Sequence, residues 1–291
     1  MGVIERDPYT GQGTTGHEWN GIKELNGAVP RVVWAFMIGT AAFAVVWWIL
    51  MPAWPLGTTY TKGLLGVDVR DEVASDLRDA ARARAGWMKR IETQDYPAIQ
   101  ADPALMKIVR ETGHTLFGDN CAACHGVKGA GGPGYPALAD GAWLWGGTPK
   151  AVFETIRVGV NADDPDSRAS QMPAWGRNGA LKRDEVDAVS VYVQSLSQPV
   201  EQGAQGKIAA GAKVFADYCA ACHGEKGKGN HDLGAPDLTD RFWLYGGDGA
   251  SIRRSIFDGR QSLMPSWRNR ISEIDRKILT LYVLDLGRAA P

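Results

Sequence analysis

The chain has 291 residues, which is enough for more than one compact domain. Hydrophobic residues make up 44% and charged residues 22%, a composition typical of folded proteins rather than of disordered or collagen-like chains. The formal net charge is −1 and there is no basic run, so the sequence does not favour a nucleic-acid-binding protein.

An uncharged apolar stretch, residues 32–51, follows a short polar N-terminal segment, residues 1–31. As a helix this stretch would extend over about 30 Å, the thickness of the hydrocarbon layer of a bilayer. Tryptophans lie near both of its ends, as in the aromatic belts of membrane proteins. The stretch begins too far from Met1 for a cleaved signal peptide. We therefore predict a single transmembrane helix that contacts membrane lipid.

Residues 52–104 form a linker between this helix and the rest of the chain. Apolar residues recur near helical spacing across residues 69–92, which predicts an amphipathic helix. The apolar face of this helix would either dock on a partner or belong to an ordinary surface helix, and the sequence favours neither alternative.

All four cysteines of the chain fall in two identical pentapeptides, C-A-A-C-H. Two thiols one helical turn apart can form thioethers with the vinyl groups of a haem, and the adjacent histidine then binds the iron. A thioredoxin-like redox pair would need a βαβ context, and a zinc site built from both pairs would leave the histidines unexplained. We predict two covalently attached c-type haems. The residues are Cys121, Cys124 and His125 in the first copy and Cys219, Cys222 and His223 in the second.

The two pentapeptides belong to a longer internal repeat, which indicates a duplicated domain of about 90 residues. We place the first copy at residues 105–199 and the second at residues 200–291. Each copy ends in an amphipathic segment, residues 181–196 and 271–286. The matching positions are Gly113 and Gly211, Phe117 and Phe215, Pro136 and Pro236, Trp143 and Trp243, Trp145 and Tyr245, Met172 and Met264, and Tyr192 and Tyr282.

This repeat resembles the class I cytochrome c domain. In that family a glycine before the haem motif lets an aromatic residue of the C-terminal helix pack closely. The resemblance implies the pairs Gly113 with Tyr192 and Gly211 with Tyr282. It also implies that the carbonyls of the matching prolines accept a hydrogen bond from the proximal histidine, which fixes its tautomer.

The resemblance further implies that Met172 and Met264 are the distal iron ligands. A thioether is a soft ligand that raises the haem potential, and the proline after each methionine removes an N–H that would need a partner. His114 and His231 are the rival ligands, although a packing role and a solvated loop fit them better. Each methionine could close the haem of its own repeat. Because the connection near residues 197–206 is short, a crossed arrangement is also possible.

The N-terminal segment indicates which family of dihaem proteins the chain resembles. Residues 14–26 read T-T-G-H-E-W-N-G-I-K-E-L-N and precede the apolar stretch. With two cytochrome c domains following, this order is similar to the dihaem subunit (subunit III, FixP/CcoP) of cbb3-type cytochrome c oxidases across the whole chain. Asn20 departs from the acid often found there, and residues 27–29 are smaller than expected. The implied fold is mainly α, with one N-terminal transmembrane helix followed by two tandem class I cytochrome c domains.

The resemblance implies an electron-transfer subunit that is not an enzyme on its own. It would accept electrons from a soluble or membrane-bound donor cytochrome c and pass them to the monohaem cytochrome c subunit and the haem–copper catalytic subunit. Because c-type haem is attached outside the cytoplasm, we expect a single-pass protein of the bacterial inner membrane, with its N-terminus cytoplasmic and its haem domains periplasmic.

Other functions remain open at this stage. They are a free-standing anchored dihaem carrier, a dihaem peroxidase with one open iron site, and a gas sensor that works by ligand exchange. The acidic run at residues 163–166 could steer a donor cytochrome, although a solvated loop is our preferred interpretation.

Overall fold

A computed structural model describes residues 5–289 of the chain. The chain divides into two compact units, Met1–Ala83 and Arg84–Pro291. In chain order the elements are β1 (Thr14–Trp19), β2 (Ile22–Leu25), α1 (Arg31–Leu50), α2 (Val69–Thr93), α3 (Tyr96–Ala101), α4 (Pro103–Asn120), α5 (Ala122–His125), α6 (Pro149–Val158), α7 (Arg183–Ser195), α8 (Gln205–Val214), a π-helical turn (Phe215–Cys219), α9 (Ala220–His223), α10 (Gly249–Asp258) and α11 (Glu273–Ala289).

The N-terminal segment forms an antiparallel hairpin of β1 and β2, in which Trp19 pairs with Ile22. Asn20 and Gly21 make the two-residue turn, with φ angles of 52° and 85°. Positive φ at both turn residues matches the right-handed twist of the flanking strands, and asparagine and aspartate tolerate it well. The replacement of an acid by Asn20 is therefore compatible with this turn.

The predicted transmembrane stretch is helix α1, which is long and apolar enough to cross a membrane. None of its side chains is buried within the protein. The predicted amphipathic helix is α2, which continues from the first unit into the second. Near its C-terminal end Ile91 is completely buried and Trp87 packs beside it, whereas Val73 and Leu77 in its N-terminal half are exposed.

The second unit contains two hydrophobic cores. We call them the first core and the second core, after the haem motif that each contacts. The first core consists of Ile91, Ile99, Leu105, Met106, Val109, Phe117, Val152, Ile156, Trp267, Ile278, Leu279, Leu281, Tyr282 and Val283, with Cys121 packed against it. The second core consists of Leu181, Val186, Val189, Val193, Phe215, Cys219, Leu238, Ile252 and Ile256.

Both repeats contribute to both cores, because the long helices exchange partners. A Cβ atom built on Gly113 would lie 2.6 Å from Tyr282 Cβ, and one built on Gly211 would lie 2.8 Å from Tyr192 Cβ. Helix α11 therefore packs on α4, and α7 packs on α8. The expected pairs, Gly113 with Tyr192 and Gly211 with Tyr282, are wrong.

The short connection between α7 and α8 explains this exchange. Helix α7 ends at Ser195 and α8 begins at Gln205. Helices joined by so few residues are usually neighbours in space, so α7 turns back and packs on α8 instead of on α4. Helix α4, which does not pack on α7, packs on α11 instead.

Candidate haem sites

Each C-A-A-C-H pentapeptide begins where a long helix ends and continues into a single helical turn. The Cys121 N–H donates to the Phe117 carbonyl at 2.8 Å, and the His125 N–H donates to the Cys121 carbonyl at 3.0 Å. In the second copy the π-helical turn ends at Cys219, and α9 carries the rest of the motif. Both pentapeptides thus present two thiols and an imidazole from one tight turn.

The two motif histidines are held by the same bond. His125 Nδ1 lies 2.9 Å from the Pro136 carbonyl oxygen, and His223 Nδ1 lies 3.1 Å from the Pro236 carbonyl oxygen. Nδ1 must carry the proton in order to donate to a carbonyl, which leaves Nε2 as the electron-pair donor for a metal. Burial lowers the pKa of His223 despite this bond, and the neutral form is the one that binds metals.

The motif thiols do not resemble a reactive redox pair. Burial, with a smaller effect of the second thiol, raises the pKa of Cys121 and of Cys219 to about 11. Reactive C-x-x-C thiols have lowered pKa values because the thiolate is the nucleophile. The two pairs also belong to different cores, an arrangement that does not favour one zinc ion shared between them.

Each methionine of the repeat lies in the core of the other repeat's haem motif. Met264 packs against the first core together with Cys121, and Met172 packs against the second core, which contains Cys219. The sequence left two arrangements open, and the packing corresponds to the crossed one. Each core therefore has the first cysteine of one haem motif and the methionine of the other repeat packed in or against it. With the second cysteine and the histidine of the same pentapeptide, these residues make up the donor set of a c-type haem.

Reciprocal backbone bonds hold the methionine segments in place. Val160 and Met264 exchange two N–H···O bonds of 2.9 Å, and Met172 and Arg260 exchange bonds of 2.8 and 3.0 Å. The glycines before Val160 and Arg260 have φ of +71° and +72°, and a Cβ atom on either would lie within 2.6 Å of a methionine carbonyl oxygen. The crossed arrangement of the two methionine segments therefore depends on glycine at both positions. We did not identify these two glycines from the sequence, although they follow α6 and α10 at matching places of the two repeats.

Arginines stack on matching aromatic rings in the two repeats. The Arg168 guanidinium carbon lies 4.8 Å from the Trp145 ring centre, and that of Arg260 lies 4.2 Å from the Tyr245 ring centre. Burial lowers the pKa of Arg168. Trp145 also lies against the second repeat, where a Cβ atom on Gly234 would be 2.4 Å from its ring. The sequence repeat marks the two aromatic residues but gives no sign of the arginines that stack on them.

Buried donors without acceptors support the fit of a haem group. Within residues 5–289, Trp243 Nε1 and Arg168 Nε are buried and have no hydrogen-bond partner. Trp243 packs against the second core, as Met172 does. An unpaired buried donor is costly, and haem carries carboxylates that accept such bonds. The residues present therefore fit c-type haem in both cores.

The rival histidines lie elsewhere. His114 Nδ1 is 3.3 Å from the Tyr282 hydroxyl on the α4–α11 contact, and His231 is exposed in its glycine-rich loop.

The acidic run at residues 163–166 is largely engaged within the protein. Arg268 contacts Asp164 at 2.8 Å and Asp166 at 2.5 Å, and the Asp164 side chain is only 5% exposed. Burial alone would raise the pKa of Asp164, but hydrogen bonds from the Asp166 N–H and Ser266, with the Arg268 charge, lower it overall. The interpretation as a solvated loop is thus wrong for Asp164. The bonds to Arg268 join the two repeats.

Comparisons with known proteins identify the family of the chain. Family models match in three places: the N-terminal domain of cytochrome oxidase-cbb3, FixP, at residues 11–58; cytochrome c at residues 110–197; and cytochrome c oxidase, cbb3-type, subunit III, at residues 206–283. The chain is 45% identical to the cbb3-type cytochrome c oxidase subunit FixP of Bradyrhizobium sp. (strain ORS 278), with 97% of each chain covered. The chain belongs to the FixP/CcoP family.

Other members of the FixP/CcoP family are similarly close. The subunit CcoP of Azospirillum sp. (strain B510) is 40% identical with 97% of each chain covered, and that of Cereibacter sphaeroides is 41% identical with 94% covered. Membership confirms the predicted fold class, mainly helical with an N-terminal apolar helix and two cytochrome c domains. It also confirms the predicted family, and it supports membrane anchoring through α1.

Proposed function

We propose that this FixP/CcoP-family chain is the electron-transfer subunit of a cbb3-type cytochrome c oxidase. In this proposal it accepts electrons from a donor cytochrome c and passes them, through two covalently attached c-type haems, to the monohaem and haem–copper subunits. The observation that carries the proposal is the packing of one haem motif and one methionine of the other repeat at each core. The names of its relatives, which match over nearly the full length, support the assembly into an oxidase.

The proposed first site combines Cys121, Cys124, His125 and Met264, and the proposed second site combines Cys219, Cys222, His223 and Met172. Support for this pairing comes from the two cores and from the reciprocal backbone bonds of the methionine segments. When bound, haem supplies one-electron chemistry at its iron.

The chain's own residues would hold such a group. The cysteines would fix it covalently, and the proline carbonyls orient the imidazoles through Nδ1. With both an imidazole and a methionine as iron ligands, no position would remain for a substrate, which favours an electron carrier over a dihaem peroxidase.

We further propose that the segment before α1 is cytoplasmic and that both haem sites lie in the periplasm. The physical support is that c-type haem is attached outside the bacterial cytoplasm, and α1 is the one helix within residues 5–289 that is long and apolar enough to cross a membrane.

Haem attachment is tested by intact mass and pyridine haemochrome analysis of the full chain, purified in mild detergent from cells that attach c-type haem. We expect the mass of two haems per chain. Cys121→Ser with Cys124→Ser, and separately Cys219→Ser with Cys222→Ser, should each leave one. A full chain with the bare apoprotein mass would refute the proposal.

Assembly is tested on the same material from the native host. We expect the chain to co-purify with subunits that contain haem b and copper, and ascorbate-reduced donor cytochrome to reduce its haems. A chain that purifies alone but carries two haems would instead be a free-standing carrier. Rapid turnover of hydrogen peroxide by the isolated chain would indicate a peroxidase.

A further inference from the structure

Several large apolar side chains are exposed just after α1. We call five of them the apolar strip: Leu64, Leu65, Val69, Val73 and Leu77. Their exposed fractions run from 50% to 79%. Exposed apolar surface of this extent on neighbouring residues is typical of an interaction site rather than of an ordinary protein surface.

The strip begins directly at the end of α1, because the loop after the helix folds back on it. The backbone N–H groups of Leu64 and Leu65 donate to the Ile49 and Leu50 carbonyls at 2.9 and 3.1 Å. Gly63 makes this approach possible: its φ is +71°, and a Cβ atom there would lie 2.4 Å from the Leu50 oxygen. The loop thus satisfies carbonyls that the last helical turn leaves unpaired.

The same loop fixes the start of α2. The Asp68 carboxylate accepts hydrogen bonds from the Tyr60 hydroxyl at 3.1 Å and the Arg70 N–H at 3.0 Å, and it pairs with Lys62 at 3.4 Å. Val69 follows Leu65 by four residues, so it lies at most about 14 Å further along the chain. The first turns of α2 therefore start close to the level where α1 ends.

The N-terminal half of α2 has one apolar face. Val69, Val73 and Leu77 are spaced by four residues and line a shallow groove together with Arg70 and Ala74. At 3.6 residues per turn Asp71 falls on the opposite side of the helix, whereas Arg70 and Asp76 flank the apolar face on its two sides. An apolar face bordered by charged residues, with a polar side opposite, is the pattern of helices that lie in a membrane interface.

We propose that the apolar strip inserts into the headgroup region of the bilayer at the C-terminal end of α1. A lipid surface is the occupant that the observations favour, because the loop holds Leu64 and Leu65 at the last turn of α1 and the apolar side chains of α1 are themselves unburied. Arg70 would extend its guanidinium to lipid phosphates while its stem stays on the apolar face. The first half of α2 is then a second membrane-binding element, in addition to the anchor.

The test uses the full haem-loaded chain in lipid nanodiscs with one chain per disc. Haem attachment consumes the native thiols, so single cysteines can carry a nitroxide label at Val73→Cys or Leu77→Cys. Asp71→Cys, on the opposite face of the same turns, is the matched control, and Ala42→Cys in α1 is the lipid reference. Collision rates with oxygen and with a water-soluble nickel chelate are measured for each label, after subtraction of the value under nitrogen.

We expect the oxygen-to-nickel ratio to be several-fold higher at residues 73 and 77 than at residue 71, and to stay below the value at residue 42, which lies near the middle of α1. Equal ratios at residues 71 and 73 would show a helix surrounded by water and would overturn the proposal. Labels at residues 73 and 77 that are shielded from both reagents would show that protein covers the strip, which also overturns it.

Discussion

The exchange of helices between the two repeats leads to a quantitative prediction for Tyr282. This residue lies on α11, is 8% exposed, and stacks on Phe117 of α4 with 5.6 Å between ring centres. Its hydroxyl is 3.3 Å from His114 Nδ1. Truncation of a buried aromatic residue to alanine typically costs about 3–5 kcal/mol, so we expect Tyr282→Ala to lower the free energy of unfolding by about that amount.

A double-mutant cycle separates the exchanged packing from the unexchanged one. An aromatic pair contributes about 0.5–1.5 kcal/mol beyond its buried area, so Tyr282→Ala and Phe117→Leu should be coupled by about 1 kcal/mol. The matched control is Phe215→Leu, because Phe215 stacks on Tyr192 at 5.2 Å in the second core. Tyr282→Ala and Phe215→Leu should be additive within about 0.5 kcal/mol.

The assay is urea unfolding of the full haem-loaded chain in detergent, followed by far-ultraviolet circular dichroism. Free energies come from midpoints and a common slope. If Tyr282 were coupled to Phe215 and additive with Phe117, each repeat would form its own core, and the exchanged arrangement would be refuted. Tyr192→Ala should show the reverse coupling pattern.

Three further predictions concern the contacts between the repeats. Gly159→Ala should displace the Met264 segment and remove about half of the ferric charge-transfer absorption of the sulfur-ligated haems. Gly179→Ala should not, because Gly179 has a similar φ of +73° but no atom within 4 Å of its added Cβ. Arg268→Gln should raise the pKa of Asp164. A carboxyl with a depressed pKa stabilises the fold above its unfolded pKa of about 3.9, so the loss of melting temperature should be large at neutral pH and shrink near pH 3. The fragment 170–260 contains the whole second core, whereas 200–291 does not, so only the former should fold with one haem and show methionine ligation.

Local features of the fold could be predicted from the sequence, because local patterns determine them. The predicted transmembrane stretch forms α1, and the segment with helical spacing, residues 69–92, forms α2. Each haem motif begins where a helix ends. The N-terminal hairpin was missed, although Asn20-Gly21 is a strong signal for a two-residue turn between strands.

The exchange of helices could not be predicted, because the two repeats present equivalent surfaces. Gly113 and Gly211 both lack a side chain, so each lets a tyrosine approach closely. Because Tyr192 and Tyr282 lie at matching places of the two repeats, either pairing satisfies the sequence pattern. The choice depends on non-local terms: the length of the connection from α7 to α8 and the backbone bonds of the methionine segments. Family resemblance supplied the candidate residues of each site but assigned the glycine–tyrosine pairs to the wrong repeats.

The exchange has a consequence for electron transfer between the two sites. If each repeat folded as a separate domain, the connection near residues 197–206 would allow the distance between the sites to vary. In the structure, the second core lies entirely within residues 172–257, and the first core takes its residues from both sides of that segment. The bonds between Val160 and Met264 hold the methionine that packs against the first core, and those between Met172 and Arg260 hold the methionine that packs against the second. Only residues 161–171 and 261–263 run between the two bonded pairs. We therefore expect the spacing of the two candidate haem sites to be set by these short segments and the interleaved cores, and not by the connection near residues 197–206.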